Sequence, residues 1–126
     1  MEGSRQLAAS RLMAEQPGFE PTVSVIIPAY NEEGAVEATV ESVRSELTGA
    51  GISHEIIVVN DGSSDDTLKR AQASGATVVN MPHNGGYGRS LKAGIAVSTA
   101  PLIAIIDADA TYPASYFPQK IPMTAY

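Results

Sequence analysis

The sequence has 126 residues and no cysteine, and its 8 basic and 14 acidic side chains give a formal net charge of −6 with both histidines neutral. This length accommodates one domain, and 44% hydrophobic with 17% charged residues excludes a disordered or collagen-like chain. The lack of cysteine excludes disulfides and thiol chemistry and fits a reducing, cytoplasmic compartment, while the acidic balance argues against nucleic acid as a partner.

Residues 1–21 are predicted to be a polar extension outside the core. Their weak helical pattern is interrupted by Pro17, Gly18 and Pro21. The longest uninterrupted apolar run covers residues 102–106, whereas roughly 18 apolar residues are needed to cross a bilayer. Neither a membrane span nor a signal peptide is therefore predicted.

From residue 22 onwards, runs rich in Val and Ile alternate with segments of helical periodicity. The order β-α-β-α-β-α-β predicts an α/β fold with a mostly parallel sheet. The predicted strands cover residues 23–29, 56–59, 76–79 and 102–106. The first strand is almost continuously apolar, which is typical of a parallel strand covered on both faces.

The first helix is predicted to follow Asn31 as its cap, with Glu32 and Glu33 in its first turn, and to end at Gly49 and Gly51. The second is predicted over residues 66–74. Four polar side chains before it are better explained as helix caps than as catalysts: Ser63, Ser64, Asp65 and Asp66.

The third helix is predicted to follow a glycine-rich loop and to bury Leu91, Ile95 and Val97. Beyond the fourth strand, residues 111–126 contain three prolines and show no clear periodicity. Pro113 predicts at most a short helix there.

In an open parallel sheet the loops after the strands meet at one edge, and ligands bind where the strand order reverses. The loops that meet here comprise residues 28–32, 60–63, 83–89 and 107–109. This edge is therefore the predicted functional site.

Asp107 and Asp109 are two residues apart at the end of a predicted strand, so extended geometry would point both carboxylates to one side. Such a pair can share one Mg²⁺, which completes its shell with water and substrate phosphate oxygens. The alternative is a solvated acidic turn, because the D-x-D pattern is common.

The glycine-rich loop suggests an anion site. The backbone amides of Gly85, Gly86 and Gly88 precede a helix, where the dipole is positive and no Cβ blocks an approaching ligand. Arg89 is unfavourable in a first helical turn unless an anion compensates it. The alternative is an ordinary flexible loop with a solvated arginine.

Three further residues at this edge, Asp61, Tyr30 and Tyr87, can each be interpreted in two ways. Asp61 either accepts hydrogen bonds from a ribose or base, or stabilises the turn before the second helix. Tyr30 and Tyr87 either stack on a base or pack against the protein. His54 and His83 lack a partner at recognisable spacing and are expected to be polar loop residues.

Taken together, four motifs resemble family 2 glycosyltransferases of the GT-A fold, most of all their polyprenol-phosphate or dolichol-phosphate sugar transferase branch. The motifs lie at residues 23–33, 55–65, 84–94 and 107–109, and the resemblance covers residues 22 to about 118. It implies a three-layer GT-A sandwich in which residues 22–126 are the nucleotide-sugar-binding part.

By this resemblance, the donor is a UDP- or GDP-sugar. The residues that match the family's nucleotide-binding positions are Pro28, Ala29, Tyr30, Glu32, Asp61, Asn84, Gly86, Arg89 and Asp107. Asp107 and Asp109 match the D-x-D pair, which implies a catalytic role through bound Mg²⁺ or Mn²⁺. Metal and oriented amides would stabilise charge on the leaving nucleoside diphosphate.

The resemblance also implies a polyprenyl phosphate acceptor at a membrane face and inversion of the anomeric centre. An anionic acceptor needs no general base, whereas a sugar hydroxyl would require one. Two alternatives stay open: a family member acting on a sugar hydroxyl, and a nucleotide-binding module without catalysis.

Two features depart from the family pattern. Thr111 stands where close relatives often have a metal-binding Gln. The chain also ends shortly after the D-x-D pair, so the acceptor half of the family's domain has no counterpart in it. We therefore expect the donor-binding part of a truncated or larger protein.

Overall fold

The alternating strands and helices form one sheet with helices on both faces. A computed structural model describes residues 20–109 and 124–125, the last two by their backbone. In chain order the elements are β1 (Val23–Ala29), α1 (Val36–Gly49), β2 (His54–Asn60), α2 (Thr67–Ala73), β3 (Thr77–Asn80), α3 (Tyr87–Val97), β4 (Leu102–Ile105) and β5 (Thr124–Ala125).

The strand order is β3-β2-β1-β4-β5. The first four strands pair in parallel, and β5 runs antiparallel to β4. The order therefore runs from β1 through β2 to β3 on one side and then returns to β4 on the other. This arrangement confirms the predicted α/β fold and places the reversal of strand order between β1 and β4.

The central strand β1 is buried on both of its faces, as its apolar sequence predicts. Val25 and Ile27 pack with α1 and α2 on one face. Ile26 packs on the opposite face, where Leu91 and Ile95 of α3 cover it. The layers are thus α1 and α2, then the sheet, then α3.

Helix α1 buries one stripe of side chains with helical spacing, namely Val36, Val40, Val43 and Leu47. It ends where predicted, because Gly51 adopts a φ of 72° and the N–H of Ile52 bonds the carbonyl oxygen of Leu47 at 2.9 Å. A left-handed residue after the last turn is a common helix stop.

The predicted start of α1 is wrong. Asn31 has a φ of 53°, and its Oδ1 accepts a hydrogen bond from the N–H of Ser64 at 2.9 Å. The helix begins five residues later, with Ala35 at its cap position and no side-chain cap. Glu32 precedes the helix and accepts the N–H of Val36 through its carbonyl oxygen at 3.0 Å. Asn31 serves the neighbouring loop instead of its own helix.

The prediction that Val97 faces inward is also wrong, since 46% of its surface is exposed. Leu91 and Ile95 are four residues apart and lie on the same helix face, against the sheet. Val97 follows Ile95 by two residues, and positions two apart point away from each other on a helix.

The amino-terminal edge of the sheet is closed by hydrogen bonds to one carboxylate. Glu55 Oε2 accepts the hydroxyl of Ser24 and both the N–H and the hydroxyl of Thr99. Ala100 N–H donates to Ser24 Oγ at 3.1 Å. These bonds connect β1, β2 and the turn between α3 and β4.

Three parts of the sequence prediction lie outside the described residues. They are residues 1–19, the residue Thr111, and the short helix predicted to begin at Pro113. Among the residues that are described, no helix combines the length and apolar character required to span a membrane.

Gly94 sets how closely α3 approaches the sheet. A Cβ placed there would lie 2.7 Å from Ile26 Cγ2 and 3.2 Å from Val59 Cγ2. In Gly94→Ala, overpacking should cost about 1–3 kcal/mol, and the higher helix propensity of alanine returns up to about 1 kcal/mol. We expect a net loss of unfolding free energy, measured by urea denaturation.

Gly88→Ala is the matched control, because a Cβ at Gly88 in the same helix meets nothing within 4 Å. It should leave stability unchanged or slightly raised. Equal effects of the two substitutions would contradict the close approach of α3 at Gly94.

Candidate functional site

Four loops meet at the carboxyl edge of the sheet, as the topology requires. They follow β1, β2, β3 and β4. Together with the last two residues of β1 and the first turn of α3, they contain every residue that the sequence predicts for nucleotide or metal binding. Hydrogen bonds join the loop after β1 to the loop after β2, and the latter to the glycine-rich loop.

Pro28 marks the point at which β1 and β4 separate. Their paired residues end at Ile26 and Ile105, and the last bond between them runs from the N–H of Ile106 to the oxygen of Ile26 at 3.1 Å. Every second residue of a strand directs its backbone N–H and C=O to the same neighbouring strand. Pro28 is therefore the next residue of β1 whose backbone is directed to β4, and proline has no N–H to donate. On its other side β1 continues to pair with β2 as far as Ala29.

The loops after β1 and β2 exchange side-chain and backbone hydrogen bonds. Asn31 N–H donates to Ser63 Oγ at 2.9 Å, and Ser64 N–H donates to Asn31 Oδ1 at 2.9 Å. Glu32 N–H donates to Thr67 Oγ1 at 2.8 Å. The serines predicted as caps of α2 therefore hold the loop after β1 in place.

Asp65 is the residue of this group that acts at the start of α2. Its Oδ1 accepts the N–H of Thr67 at 3.0 Å, whereas Asp66 occupies the cap position without a side-chain hydrogen bond. The hydrogen bond from the Thr67 hydroxyl lowers the pKa of Asp65 below its ordinary value of 3.8. The carboxylate and its contacts therefore persist at neutral pH.

Asp61 is bonded to the glycine-rich loop. Its Oδ1 accepts the N–H of Gly85 at 2.9 Å, and its Oδ2 accepts the N–H of Gly86 at 3.0 Å and the Nδ2 amide of Asn84 at 3.1 Å. The predicted anion cradle thus exists at Gly85 and Gly86, but a carboxylate of the chain itself occupies it. Gly88 lies inside α3 and not in the cradle.

Gly62 lies against the backbone of the same loop. It has a φ of 72°, and a Cβ at this position would overlap the backbone of Asn84 and lie 2.8 Å from His83 Cα. Only glycine permits both this conformation and this contact. His83 therefore serves through its backbone, and the sequence offered no signal of this role beyond the glycine.

Helix α3 starts at this edge without a side-chain cap. Its first residues are Tyr87, Gly88 and Arg89, whose N–H groups lie in the turn that has no helical carbonyl partner. The Arg89 side chain folds back across Gly85, where a Cβ would lie 2.8 Å from its Cζ. The start of α3 thus follows directly on the two glycines that bond Asp61, and the Arg89 side chain crosses one of them.

Asp107 and Asp109 follow β4, and both are exposed, with the buried Ala108 between them. Thr39 of α1 fixes this turn by donating its hydroxyl to the Ala108 oxygen at 2.8 Å. Two exposed carboxylates are hard ligands of the kind that Mg²⁺ and Mn²⁺ accept, with substrate or water oxygens completing the shell. Among the described residues, no group of three or more His, Cys, Asp or Glu is arranged so that it could hold a metal ion.

Tyr30 and Tyr87 are 49% and 57% exposed, so neither packs in the core. Asp107 lies close enough to Tyr87 to affect its ionisation: burial first and the Asp107 charge second raise the pKa of the Tyr87 phenol above 10.0. Tyr87, at the start of α3, is therefore near enough to the D-x-D turn for the Asp107 charge to affect its phenol. His54 lies elsewhere, with Nδ1 2.9 Å from the oxygen of Ile52.

Two residues that organise the site have no place in the sequence prediction. Thr39 and Thr67 are both buried, and each bonds a loop of this edge. The signal that could have found Thr39 is a polar side chain on the otherwise apolar stripe of α1. Thr67 is hidden from such reasoning because threonine is also common at the start of a helix.

Comparison with known families identifies this architecture. The family model described as glycosyl transferase family 2 matches residues 24–122. Glucosyl-3-phosphoglycerate synthase of Mycolicibacterium smegmatis (strain ATCC 700084 / mc(2)155) is 38% identical over 107 residues, which are 79% of this chain and 35% of that protein.

Solved structures agree with this match. The glucosyl-3-phosphoglycerate synthase of Mycobacterium tuberculosis aligns with a TM-score of 0.66 and 35% identity over 86% of this chain and 42% of its own. Its complex with Mn²⁺, UDP and glucosyl-3-phosphoglycerate aligns with a TM-score of 0.65 and 34% identity over 86% and 40%. Other complexes of that enzyme contain Mg²⁺ with UDP, or Mn²⁺ with UDP-glucose and glycerol 3-phosphate.

The chain spans about a third of the curated synthase and about two fifths of its solved structures. These relatives are named for phosphoglycerate, so the comparisons support the family and the fold but not the polyprenol-phosphate branch that the sequence suggested.

The proximity of Tyr87 to Asp107 can be measured through ionisation. In Asp107→Asn the negative charge is lost while the burial of the phenol remains, so the pKa of Tyr87 should fall toward 10.0 without reaching it. Phenolate absorbance recorded against pH gives this value, and Tyr87→Phe identifies the component that belongs to Tyr87.

Asp109→Asn removes the same charge two residues further on and serves as the control. Asp107 is the charged group that raises the Tyr87 pKa, so Asp109→Asn should shift that pKa less. An equal shift in both variants would mean that Tyr87 does not lie specifically beside Asp107.

Proposed function

This chain belongs to glycosyl transferase family 2, and from that premise we propose that it forms the nucleotide-sugar-binding part of a UDP-glucose-dependent glycosyltransferase. The acceptor we propose is a small phosphorylated carboxylic acid of the phosphoglycerate type. The proposed cofactor is Mg²⁺ or Mn²⁺. Residues 22–126 contribute to this donor site.

The observation that carries the proposal is the pair of exposed carboxylates, Asp107 and Asp109, placed after β4 at the reversal of strand order. That position is where open α/β sheets bind ligands. The start of α3, which has no side-chain cap, lies at the same edge, and its first residue, Tyr87, is within reach of the Asp107 charge. A nucleoside diphosphate matches both features, since its phosphates can meet backbone N–H groups while a metal neutralises them.

The remaining residues of the donor site are assigned as part of this proposal. Those expected to line the nucleoside pocket follow or end β1: Pro28, Ala29, Tyr30 and Glu32. The exposed ring of Tyr30 is free to stack on a base. Asn84 and Gly86 belong to the glycine-rich loop that leads into α3, and Arg89 in the first turn of α3 brings positive charge to the diphosphate side.

The chemistry follows from charge. As the glucosyl bond breaks, negative charge grows on the leaving UDP, and donors that are already oriented stabilise it without reorganisation. The N–H groups of α3 and the Arg89 guanidinium supply such donors in this chain. When bound by Asp107 and Asp109, a divalent metal supplies Lewis-acid stabilisation of the diphosphate.

A phosphoglycerate-type acceptor differs chemically from the polyprenyl phosphate suggested by the sequence. Its free nucleophile is a hydroxyl, so deprotonation by a general base is needed. It is also a small, water-soluble anion, and transfer to it requires no membrane face. The names of the relatives, which specify glucosyl-3-phosphoglycerate, favour this acceptor.

The proposed reaction is tested by following UDP release from UDP-glucose. We expect release to depend on Mg²⁺ or Mn²⁺ and to increase with 3-phosphoglycerate, but not with a polyprenyl phosphate in vesicles. Stimulation by the lipid alone would restore the polyprenol-phosphate branch. Binding of UDP-glucose without release under any condition would leave a nucleotide-binding module.

The stereochemical outcome is a separate measurement. Inversion stays a prediction from the family resemblance, and the coupling constant of the anomeric proton in the product decides it.

The metal assignment predicts that Asp107→Asn and Asp109→Asn each weaken Mg²⁺-dependent UDP-glucose binding by at least about tenfold, because one hard ligand is lost. Calorimetry with Mg²⁺ and with EDTA measures the metal-dependent part. Asp66→Asn removes the same charge from an exposed carboxylate at the start of α2 and should leave binding unchanged. Metal-dependent binding that survives in both aspartate variants would refute the assignment.

A further inference from the structure

We propose that Thr39 of α1 is a positioning residue for divalent-metal binding, and that its hydroxyl keeps Asp107 and Asp109 on one side of the chain. It does so by bonding the carbonyl oxygen of Ala108, the residue between them. This inference rests on the proposed function. It follows from the alternation of burial along β4, the end of strand pairing and the destination of the Thr39 hydroxyl.

The side chains of β4 alternate between the two faces of the sheet, and this alternation continues past the end of the strand at Ile105. Ile105 packs on the α3 face, whereas Ile106 and Ala108 belong to the core cluster on the α1 face. Asp107 and Asp109 are exposed on either side of Ala108. Both carboxylates therefore share one side as long as Ala108 stays turned toward α1.

Pairing with β1 does not maintain this alternation. The paired residues of the two strands end at Ile26 and Ile105, and their last backbone hydrogen bond is the one from Ile106 N–H to the Ile26 oxygen at 3.1 Å. Pro28 has no N–H for a further bond. The turn over residues 107–109 therefore depends on an interaction with another part of the chain.

Thr39 supplies such an interaction. Its hydroxyl donates to the Ala108 oxygen at 2.8 Å across 69 residues of sequence, and the two residues are 3% and 2% exposed. A helical threonine commonly donates instead to a carbonyl oxygen of the preceding turn. Because a hydroxyl has a single hydrogen to donate, the bond to Ala108 takes the place of that local bond.

Packing alone does not explain a threonine at this position. Its neighbours on the buried stripe of α1 are Val36, Val40 and Val43. A valine would fill nearly the same volume without burying a polar atom, whereas a buried hydroxyl is costly unless it is bonded. We therefore attribute the hydroxyl to the bond that it makes at the D-x-D turn.

The position of Thr39 joins two parts of the proposed donor site. Thr39 lies in the first turn of α1, and the loop that leads into this helix carries Tyr30 and Glu32 of the proposed nucleoside pocket. The Thr39 N–H bonds the oxygen of Ala35, at the end of that loop, at 2.9 Å. The Thr39 hydroxyl thus ties the D-x-D turn to the segment after β1, beyond the point at which Pro28 separates β1 from β4.

Loss of the hydroxyl should change the geometry of the metal-binding pair. Without it the Ala108 oxygen would be buried with no donor, which is costly, so the peptide unit should turn toward water. The flanking carboxylates would then no longer face one ion together. Mg²⁺ demands near-ideal octahedral geometry and tolerates such displacement poorly.

The decisive experiment separates the hydroxyl from the shape of the side chain. Calorimetry measures UDP binding with Mg²⁺ and with EDTA to the unaltered chain, Thr39→Val and Thr39→Ser. Thr39→Val keeps the shape and loses the donor, so Mg²⁺-dependent binding should weaken about tenfold while binding in EDTA stays unchanged. Thr39→Ser keeps the donor and should bind as the unaltered chain does.

Ser24→Ala is the matched control. Ser24 carries a fully buried hydroxyl that donates to Glu55 at the opposite, amino-terminal edge of the sheet. Its loss should lower the free energy of unfolding, measured with urea, and leave the Mg²⁺-dependent affinity of the folded protein unchanged. Equal Mg²⁺-dependent affinity of Thr39→Val and the unaltered chain would overturn the proposal, as would an equal loss of affinity in Thr39→Val and Ser24→Ala.

Residual dipolar couplings of the free proteins give a second readout that needs no ligand. They report the orientation of the peptide units over residues 107–109, which should change in Thr39→Val and not in Thr39→Ser. Unchanged couplings in Thr39→Val would mean that the turn keeps its shape without the hydroxyl, and would refute the proposal. Absence of UDP binding by the unaltered chain would instead refute the proposed function, while the couplings still decide whether Thr39 holds the turn.

Discussion

The separation of β1 from β4 at Pro28 is the constraint on which the site depends. β1 is the central strand, and its residues from Val23 to Ile26 pair on both sides. Pro28 lacks the N–H that would extend the pairing toward β4, while Ala29 still pairs with β2. The loops after β1 and β4 therefore diverge at the point where strand order reverses, and the exposed carboxylates follow on one side of that division.

Most polar groups of the other loops stabilise the loops themselves. Asn31, Ser63 and Ser64 bond each other across two loops, and Asp61 bonds the backbone of a third. The backbone N–H and C=O groups of these loops lie beyond the ends of the strands and have no hydrogen-bond partners within the sheet. The bonds between loops take the place of the bonds between strands. Asp107, Tyr30 and Tyr87 remain exposed beside these hydrogen-bonded loops.

Local sequence patterns predicted the strands and helices well because burial determines them. The predicted strand over residues 23–29 coincides with β1, and the predicted helix over 66–74 differs from α2 by one residue at each end. Alternating or continuous apolar runs report the hydrophobic contacts that place these elements. These patterns predict the bounds of strands and helices because each strand or helix buries one or both of its faces, and the buried positions are apolar in the sequence.

The roles of Asn31 and Asp61 could not be predicted in the same way. Asparagine before a helical segment is an ordinary cap, and nothing within ten residues of Asn31 indicates that Ser64 will compete for its side chain. Asp61 likewise meets Gly85 and Gly86 because β2 and β3 are neighbours in the sheet. Both roles depend on contacts between segments more than twenty residues apart, which local patterns do not report. Family motifs group these segments, yet they do not say which side chain touches ligand and which touches protein.

Carboxylates at the two edges of the sheet differ in whether their oxygens are bonded within the protein. Glu55 at the amino edge accepts three hydrogen bonds and connects three segments. Asp61 at the carboxyl edge also accepts three hydrogen bonds, all of them from residues 84–86 of the glycine-rich loop. A carboxylate whose oxygens already accept backbone N–H groups is held in one orientation, and its charge is balanced within the protein. Asp107 and Asp109, by contrast, are exposed on either side of the buried Ala108. In the proposed function the exposed pair binds the cation, whereas the Asp61 carboxylate is held by the glycine-rich loop.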